Sequence, residues 1–113
     1  MSQLNTIVIH VRAEQAEEFE RRWAEEELPR WKQFHTEGKF ISARFYRSEF
    51  GTDERPEVAK YVIAVEVPDM AAHAAHDADP GFQDWDRQAD RYQPEAPLVY
   101  GGDILHSVLC ARR

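Results

Sequence analysis

The chain has 113 residues, enough for one domain around one core and too few for two, so a single domain over residues 1–113 is expected. With 42% hydrophobic and 12% aromatic residues it has the composition of an ordinary soluble globular protein, which argues against disorder. Acidic residues outnumber basic ones by 21 to 14, and the net charge of -7 repels polyanions, which argues against nucleic acid and anionic membrane surfaces as partners.

The opening Met-Ser-Gln-Leu-Asn-Thr lacks the basic start and apolar stretch of a signal peptide, and no run approaches membrane-spanning length. A cytoplasmic location is expected. The single cysteine, Cys110, cannot form an internal disulfide or a thiolate metal cage, and reads as a half-buried strand residue.

Leu4 to Arg12 is rich in β-branched residues and predicts a first strand. The Glu- and Arg-rich stretch that follows carries Ala16, Phe19 and Trp23 at helical spacing, and Trp31 and Phe34 restart the stripe. Pro29 removes a helical hydrogen bond and predicts a kink or a second short helix there, with Gly38 as the stop. Phe40 to Phe50 alternates as a strand, with Ile41, Ala43 and Phe45 on one face and Ser42, Arg44 and Tyr46 on the other. After a turn rich in Gly, Asp and Pro, Val58 to Val67 predicts a third strand, ended by Pro68. Residues 69–92 read as helix in two pieces, broken at Asp79-Pro80-Gly81, and the second piece carries the stripe Phe82, Trp85, Ala89 and Tyr92. Val99 to Ala111 predicts the last strand, with a bend or bulge at Gly101-Gly102. The order is β-α-β-β-α-β, which predicts an α+β, ferredoxin-like fold: four antiparallel strands with the helices on one face.

Helices cover one face of such a sheet. The apolar sets Ile7, Ile9, Val11 and Tyr61, Ile63, Val65, Val67 belong beneath them. The opposite face keeps Val8, Val62 and Ala64, too much apolar surface for a monomer, and predicts a homodimer with two sheets packed face to face. That face also carries His10, Arg44, Tyr46, Lys60 and Glu66, and their polarity predicts a wet cavity open to a small molecule.

The element order and length resemble the dimeric α/β-barrel superfamily, in particular its antibiotic-biosynthesis-monooxygenase-like branch. The sharpest local likeness is His76-Asp77-Ala78-Asp79-Pro80-Gly81-Phe82, a histidine in the second helix followed by a break and an aromatic residue. Aspartate stands where that branch usually has serine, and glycine where a larger residue is common. The resemblance implies a small cofactor-independent oxygenase of an aromatic or enolisable molecule, with His76 near the mouth of the cavity.

Such chemistry needs a base for an acidic phenol or enol and a cation for the resulting anion. His10 and His76 are the candidate bases, since imidazole titrates near neutral pH. Arg44 is the candidate anion holder because it stays charged, Tyr46 is placed to orient or stack on a flat substrate, and Lys60 and Glu66 complete the candidate binding set. The alternative is a small-molecule-binding or stress-associated module without catalysis; haem binding or degradation, known in the superfamily, ranks behind both. His73, His76 and Asp77 lie within one helical turn, but His-x-x-His alone is a weak metal pattern and no metal or cofactor is expected. His73, His35 and His106 read as structural residues, and Asp79 before Pro80 as the cap of the second helical piece.

Overall fold

The computed structural model describes residues 2–109. Its elements are β1 (Gln3–Arg12), α1 (Ala16–Glu26), α2 (Leu28–Thr36), β2 (Ser42–Arg47), β3 (Val58–Val67), α3 (Met70–Asp77), α4 (Pro80–Ala89) and β4 (Leu98–Asp103), with short 3-10 turns before α1 and after α4. The strands form one antiparallel sheet in the order β2-β3-β1-β4, the ferredoxin-like arrangement expected from the element order. No helix among the described residues is long and apolar enough to cross a membrane.

The strand periodicity sorts the sheet as the sequence predicts. On β3 every second residue, Tyr61 through Val67, is buried beneath the helices, while Val62, Ala64 and Glu66 on the other face are half-buried. The core beneath the helices is aromatic. Phe19 of α1 is fully buried and meets Tyr61, Tyr92, Trp85 and Phe45 with centroids 5.1, 5.7, 5.9 and 6.3 Å away. Trp23, one turn on, stacks on Phe45 at 4.2 Å and meets Trp31 edge-on at 4.8 Å.

Helix boundaries follow capping chemistry. Pro29 lies in the first turn of α2, where its missing N–H costs nothing, so the chain breaks cleanly into two helices. At the end of α2, Gly38 adopts φ 79°, and its N–H donates to the His35 carbonyl while Lys39 N–H donates to that of Phe34. This Schellman arrangement needs a left-handed residue, which glycine supplies without a Cβ clash. Asp69 caps α3 through the Ala72 N–H, and Asp79 caps α4 through the Phe82 N–H, each at 2.9 Å.

Three strand features differ from expectation. β2 begins at Ser42, because the turn out of α2 sends the Phe40 side chain into the core against Phe34 and Trp31. Gly101 and Gly102 sit in an unbroken ladder opposite Asn5 and Leu4, without a bulge. A Cβ on Gly101 would come within 2.5 Å of the Asn5 Oδ1, so the glycine leaves room for that carboxamide. β4 ends at Asp103, opposite the first residue of β1, and Ile104 N–H makes one last bond to the Ser2 carbonyl. Beyond it β1 offers no further partner, and residues 105–109 form no strand; Cys110 and Ala111 lie outside the described residues.

Because Phe19 joins two helical segments to the sheet, Phe19→Ala should destabilise the fold by about 3–5 kcal/mol. Urea unfolding followed by tryptophan fluorescence measures this, and a loss below 1 kcal/mol would contradict the packing described here.

Candidate functional site

The cavity with mixed polar and apolar walls lies between the helix-covered face of the sheet and the α3–α4 layer. Ile7, Val65 and Val67 form its sheet side, His76 and Phe82 its helical side, and Phe40 joins them from the turn after α2, around about 370 Å³. A smaller chamber of about 70 Å³ continues inward past His76 and Phe82 toward Trp31, Trp85 and Gln93. The sequence of α3 accounts for the space. Four of its eight residues are alanine and only Ala72 is buried, so small side chains leave the gap to the sheet unfilled. After the helix break at Ala78-Asp79, α4 begins at Pro80 and its Phe82 lines the same cavity.

His76 occupies the last turn of α3. Its ring packs against Phe82, Phe40 and Phe34, with centroids 4.3, 5.4 and 5.6 Å away. Nδ1 lies 3.2 Å from Oδ1 of Asp77, whose other oxygen is 3.0 Å from Nε2 of His73. One carboxylate therefore bridges two imidazoles. With Asp77 accepting from Nδ1–H, the lone pair of His76 falls on Nε2, which has no hydrogen-bond partner among the described residues. Burial pushes the His76 pKa below the ordinary histidine value of 6.5, and Arg30 works in the same direction; Asp77 and Asp79 only partly offset them. Burial thus favours the neutral ring, whose unprotonated nitrogen can accept a proton.

Asp86 stands on the same wall, one helical turn after Phe82. Burial of the carboxyl and the nearby charge of Asp90 push its pKa up. In the inner chamber the Gln93 Oε1 is buried without a hydrogen-bond partner. Behind Phe82 lies a charge network. Arg30 pairs with the buried Glu27 and, at 3.1 Å, with Asp79, while its guanidinium sits 5.6 Å from the Phe82 ring centre. Burial lowers the Arg30 pKa against the opposing pull of Asp79. Among the described residues no group of three or more His, Cys, Asp or Glu is placed to hold a metal ion.

The structure separates the residues singled out in the sequence. His76 lines the cavity. His10 is buried on the opposite face of the sheet, in register with Lys60, with its Nδ1 3.9 Å from Glu95. Lys60 pairs with Asp53 and, at 3.5 Å, with Glu54, while Arg55 reaches Glu95 at 2.6 Å. These bonds raise the Lys60 pKa and lower those of Asp53 and Glu95. The loops before β3 and β4 thus close over this end of the face with paired ions. Arg44 and Tyr46 are exposed on β2, and Glu66 is half-buried beside Ser42. Of the residues singled out, His10, Arg44, Tyr46, Lys60 and Glu66 share the open face, where the loops supply counter-ions at one end, while His76 lines the cavity on the other side of the sheet.

Asp86, Gln93 and the Glu27–Arg30 pair went unread in the sequence. Asp86 follows Phe82 by four residues on the apolar stripe of α4, and Glu27 precedes Arg30 by three; both spacings were legible. Nothing local marks Gln93, which meets the cavity only through the chain's return to β4.

No protein-family model matches the sequence, and no functionally curated protein matches it. Solved structures do share the fold. Rv0793 of Mycobacterium tuberculosis superposes with a TM-score of 0.75 at 13% identity, over 96% of this chain and 100% of that one. A Caulobacter crescentus protein assigned provisionally as an antibiotic biosynthesis monooxygenase gives 0.72 at 15% identity, over 93% and 91%. A Nitrosomonas europaea protein with the same provisional assignment gives 0.68 at 16%, over 89% of each chain. The chain therefore shares the fold of these proteins across most of its length.

The depressed His76 pKa has a consequence for stability. Between the folded value and 6.5 the unfolded chain binds more protons than the native one, so this group's contribution is complete above 6.5 and is lost as the pH falls through the folded pKa. NMR titration of the His76 ring should give a midpoint below 6.5, and Asp77→Asn should lower it further by removing the carboxylate that favours the imidazolium. A wild-type midpoint above 6.5 would refute the neutral ring.

Proposed function

We propose that this protein is a cofactor-independent oxygenase of a small phenolic or enolisable molecule, which it binds in the cavity between the sheet and α3–α4. The observation that carries this reading is the His76 imidazole in the cavity wall, its Nδ1 3.2 Å from Asp77 and its ring set among Phe34, Phe40 and Phe82. An apolar cavity of about 150 Å³ holds benzene, so about 370 Å³ suits a substrate of roughly two rings. The provisional assignments of the Caulobacter and Nitrosomonas proteins support the same reaction class.

In this reading Nε2 takes the proton of the substrate hydroxyl, and the imidazolium stabilises the new phenolate or enolate in a poorly solvated site. Dioxygen is the oxidant. It accepts electrons from the ring carbon and forms a C–O bond; for a phenol, the resulting hydroperoxide loses water to leave a quinone, one oxygen atom retained and the other released. The proton held on Nε2 returns to the peroxide oxygen as the hydroperoxide forms. The base is His76 and not His10, because paired ions close the His10 end of the sheet.

The protein is further proposed to act as a homodimer. Leu4, Tyr46, Leu98 and Tyr100 are exposed on the open face, beside half-buried Val8, Val62 and Ala64, and Tyr46 and Tyr100 keep 55% and 58% of their surface in water. A second copy of this face covers that surface.

Two measurements test these proposals. Oxygen consumption with a panel of two-ring phenols should show turnover, and His76→Gln should reduce kcat about a hundredfold or more while His10→Gln leaves it near wild type. Turnover that survives His76→Gln removes the base from the scheme. Sedimentation at micromolar concentration should give twice 13.2 kDa, and Tyr46→Glu with Tyr100→Glu should return the chain to 13.2 kDa. A wild-type protein that sediments as the monomer overturns the dimer.

A further inference from the structure

The inner chamber beyond His76 carries a charge that the reaction proposed above does not use. Its walls are largely apolar, from Ile9, Ile63, Trp31 and Trp85, yet Glu27 is among them. Glu27 keeps only 3% of its surface in water. Helical spacing brings it there. Phe19, Trp23, Glu27 and Trp31 follow at intervals of four, so at the junction of α1 and α2 a carboxylate takes a place on the stripe that otherwise buries aromatic rings.

A carboxylate taken out of water needs its oxygens occupied, and it can accept about four hydrogen bonds. Glu27 forms an ion pair with Arg30 and with no other described residue. Gln93 lines the same chamber from the loop before β4, and its Oε1 is buried without a hydrogen-bond partner. Two acceptors with capacity to spare, brought from distant parts of the chain, therefore share one chamber.

We propose that this chamber recognises a hydrogen-bond donor at the far end of the substrate, a second hydroxyl that donates to the Glu27 carboxylate and the Gln93 carbonyl while the reacting hydroxyl faces His76. The substrate class that follows, resting on the proposed use of the cavity, is a flat two-ring molecule with hydroxyls at opposite ends. Chamber and cavity share Ile7, Val65, His76, Phe82 and Pro97 as walls, so one molecule can extend from one into the other. A single water needs roughly 10–15 Å³, and the chamber's volume of about 70 Å³ also admits the ring edge that bears a hydroxyl. Hydrogen bonds to a charged acceptor are stronger than those between neutral groups, and a molecule without the donor leaves both acceptors unpaired. Glu27 and Gln93 set specificity in this scheme and take no part in the proton transfer.

The test compares naphthalene-2,6-diol with its monomethyl ether, 6-methoxy-2-naphthol, and with 2-naphthol, by calorimetric titration of the full chain under nitrogen. Equilibrium binding without oxygen separates recognition from turnover. The diol should bind about tenfold or more tightly than either comparison compound. Gln93→Leu, its fold checked by circular dichroism, should reduce that advantage to about threefold or less and leave 2-naphthol within about twofold of wild type. Glu27→Gln should weaken the diol by a similar factor, and Gln93→Leu decides alone if the loss of the Arg30 pair unfolds that variant. Equal affinity for the three compounds, or a Gln93→Leu variant that keeps the diol's full advantage, overturns the donor site and leaves the role of His76 standing. If none of the three binds, the cavity is not the substrate site and the donor site falls with it. Selective binding of the diol without oxygen consumption supports the donor site and removes the oxygenase reaction.

Discussion

Asp79 ends one helix and starts the next, and the same carboxylate accepts from the Phe82 N–H at 2.9 Å and from Arg30 at 3.1 Å. Arg30 in turn holds Glu27, at the junction of α1 and α2. A single side chain therefore ties the first helical layer to the second at the point where the second one bends. The ion pairs are largely removed from water, where breaking one partner leaves the other charge unsatisfied, so the network acts as a fixed joint more than as a source of net stability. The position of Phe82 in the cavity wall, and with it the aromatic setting of His76, depends on that joint.

The two halves of the helical layer are packed in opposite ways. α1 and α2 present Phe19, Trp23, Trp31 and Phe34, and these rings fill the space above β2 and β3. α3 presents alanines and fills little. A core of large aromatic residues at one end can support a cavity at the other, because the stability lost by incomplete packing near α3 is offset by dense contacts near Phe19. The cavity is thus a consequence of where large and small side chains fall along the two crossover segments.

Electrostatics divides the surface along similar lines. At the His10 end of the open sheet face, loop carboxylates neutralise Lys60 and shift its pKa upward. On the cavity side, burial dominates at His76 and favours its neutral form. Neighbouring opposite charges favour ionised groups, whereas desolvation favours uncharged ones, and groups poised near neutrality are the ones suited to proton transfer. His10 and His76 stand on opposite faces of the sheet, His10 beside Glu95 and His76 among Phe34, Phe40 and Phe82.

Local chemistry was sufficient for the element order, the helix break at Pro29, the cap at Asp79 and the buried faces of β1 and β3. Strand alternation, proline's missing donor and a short acidic side chain before a helix act within a few residues, so they are legible without knowledge of the fold. The likeness around His76 to Phe82 pointed to the fold that the solved structures share. The side of the sheet that holds the cavity was decided by tertiary structure, as were the closure of the His10 end by Asp53 and Glu95 and the meeting of Glu27, Arg30 and Asp79. Each of these depends on side chains far apart in the chain, and their charge compensation and burial exist only once the helices and loops have been laid on the sheet.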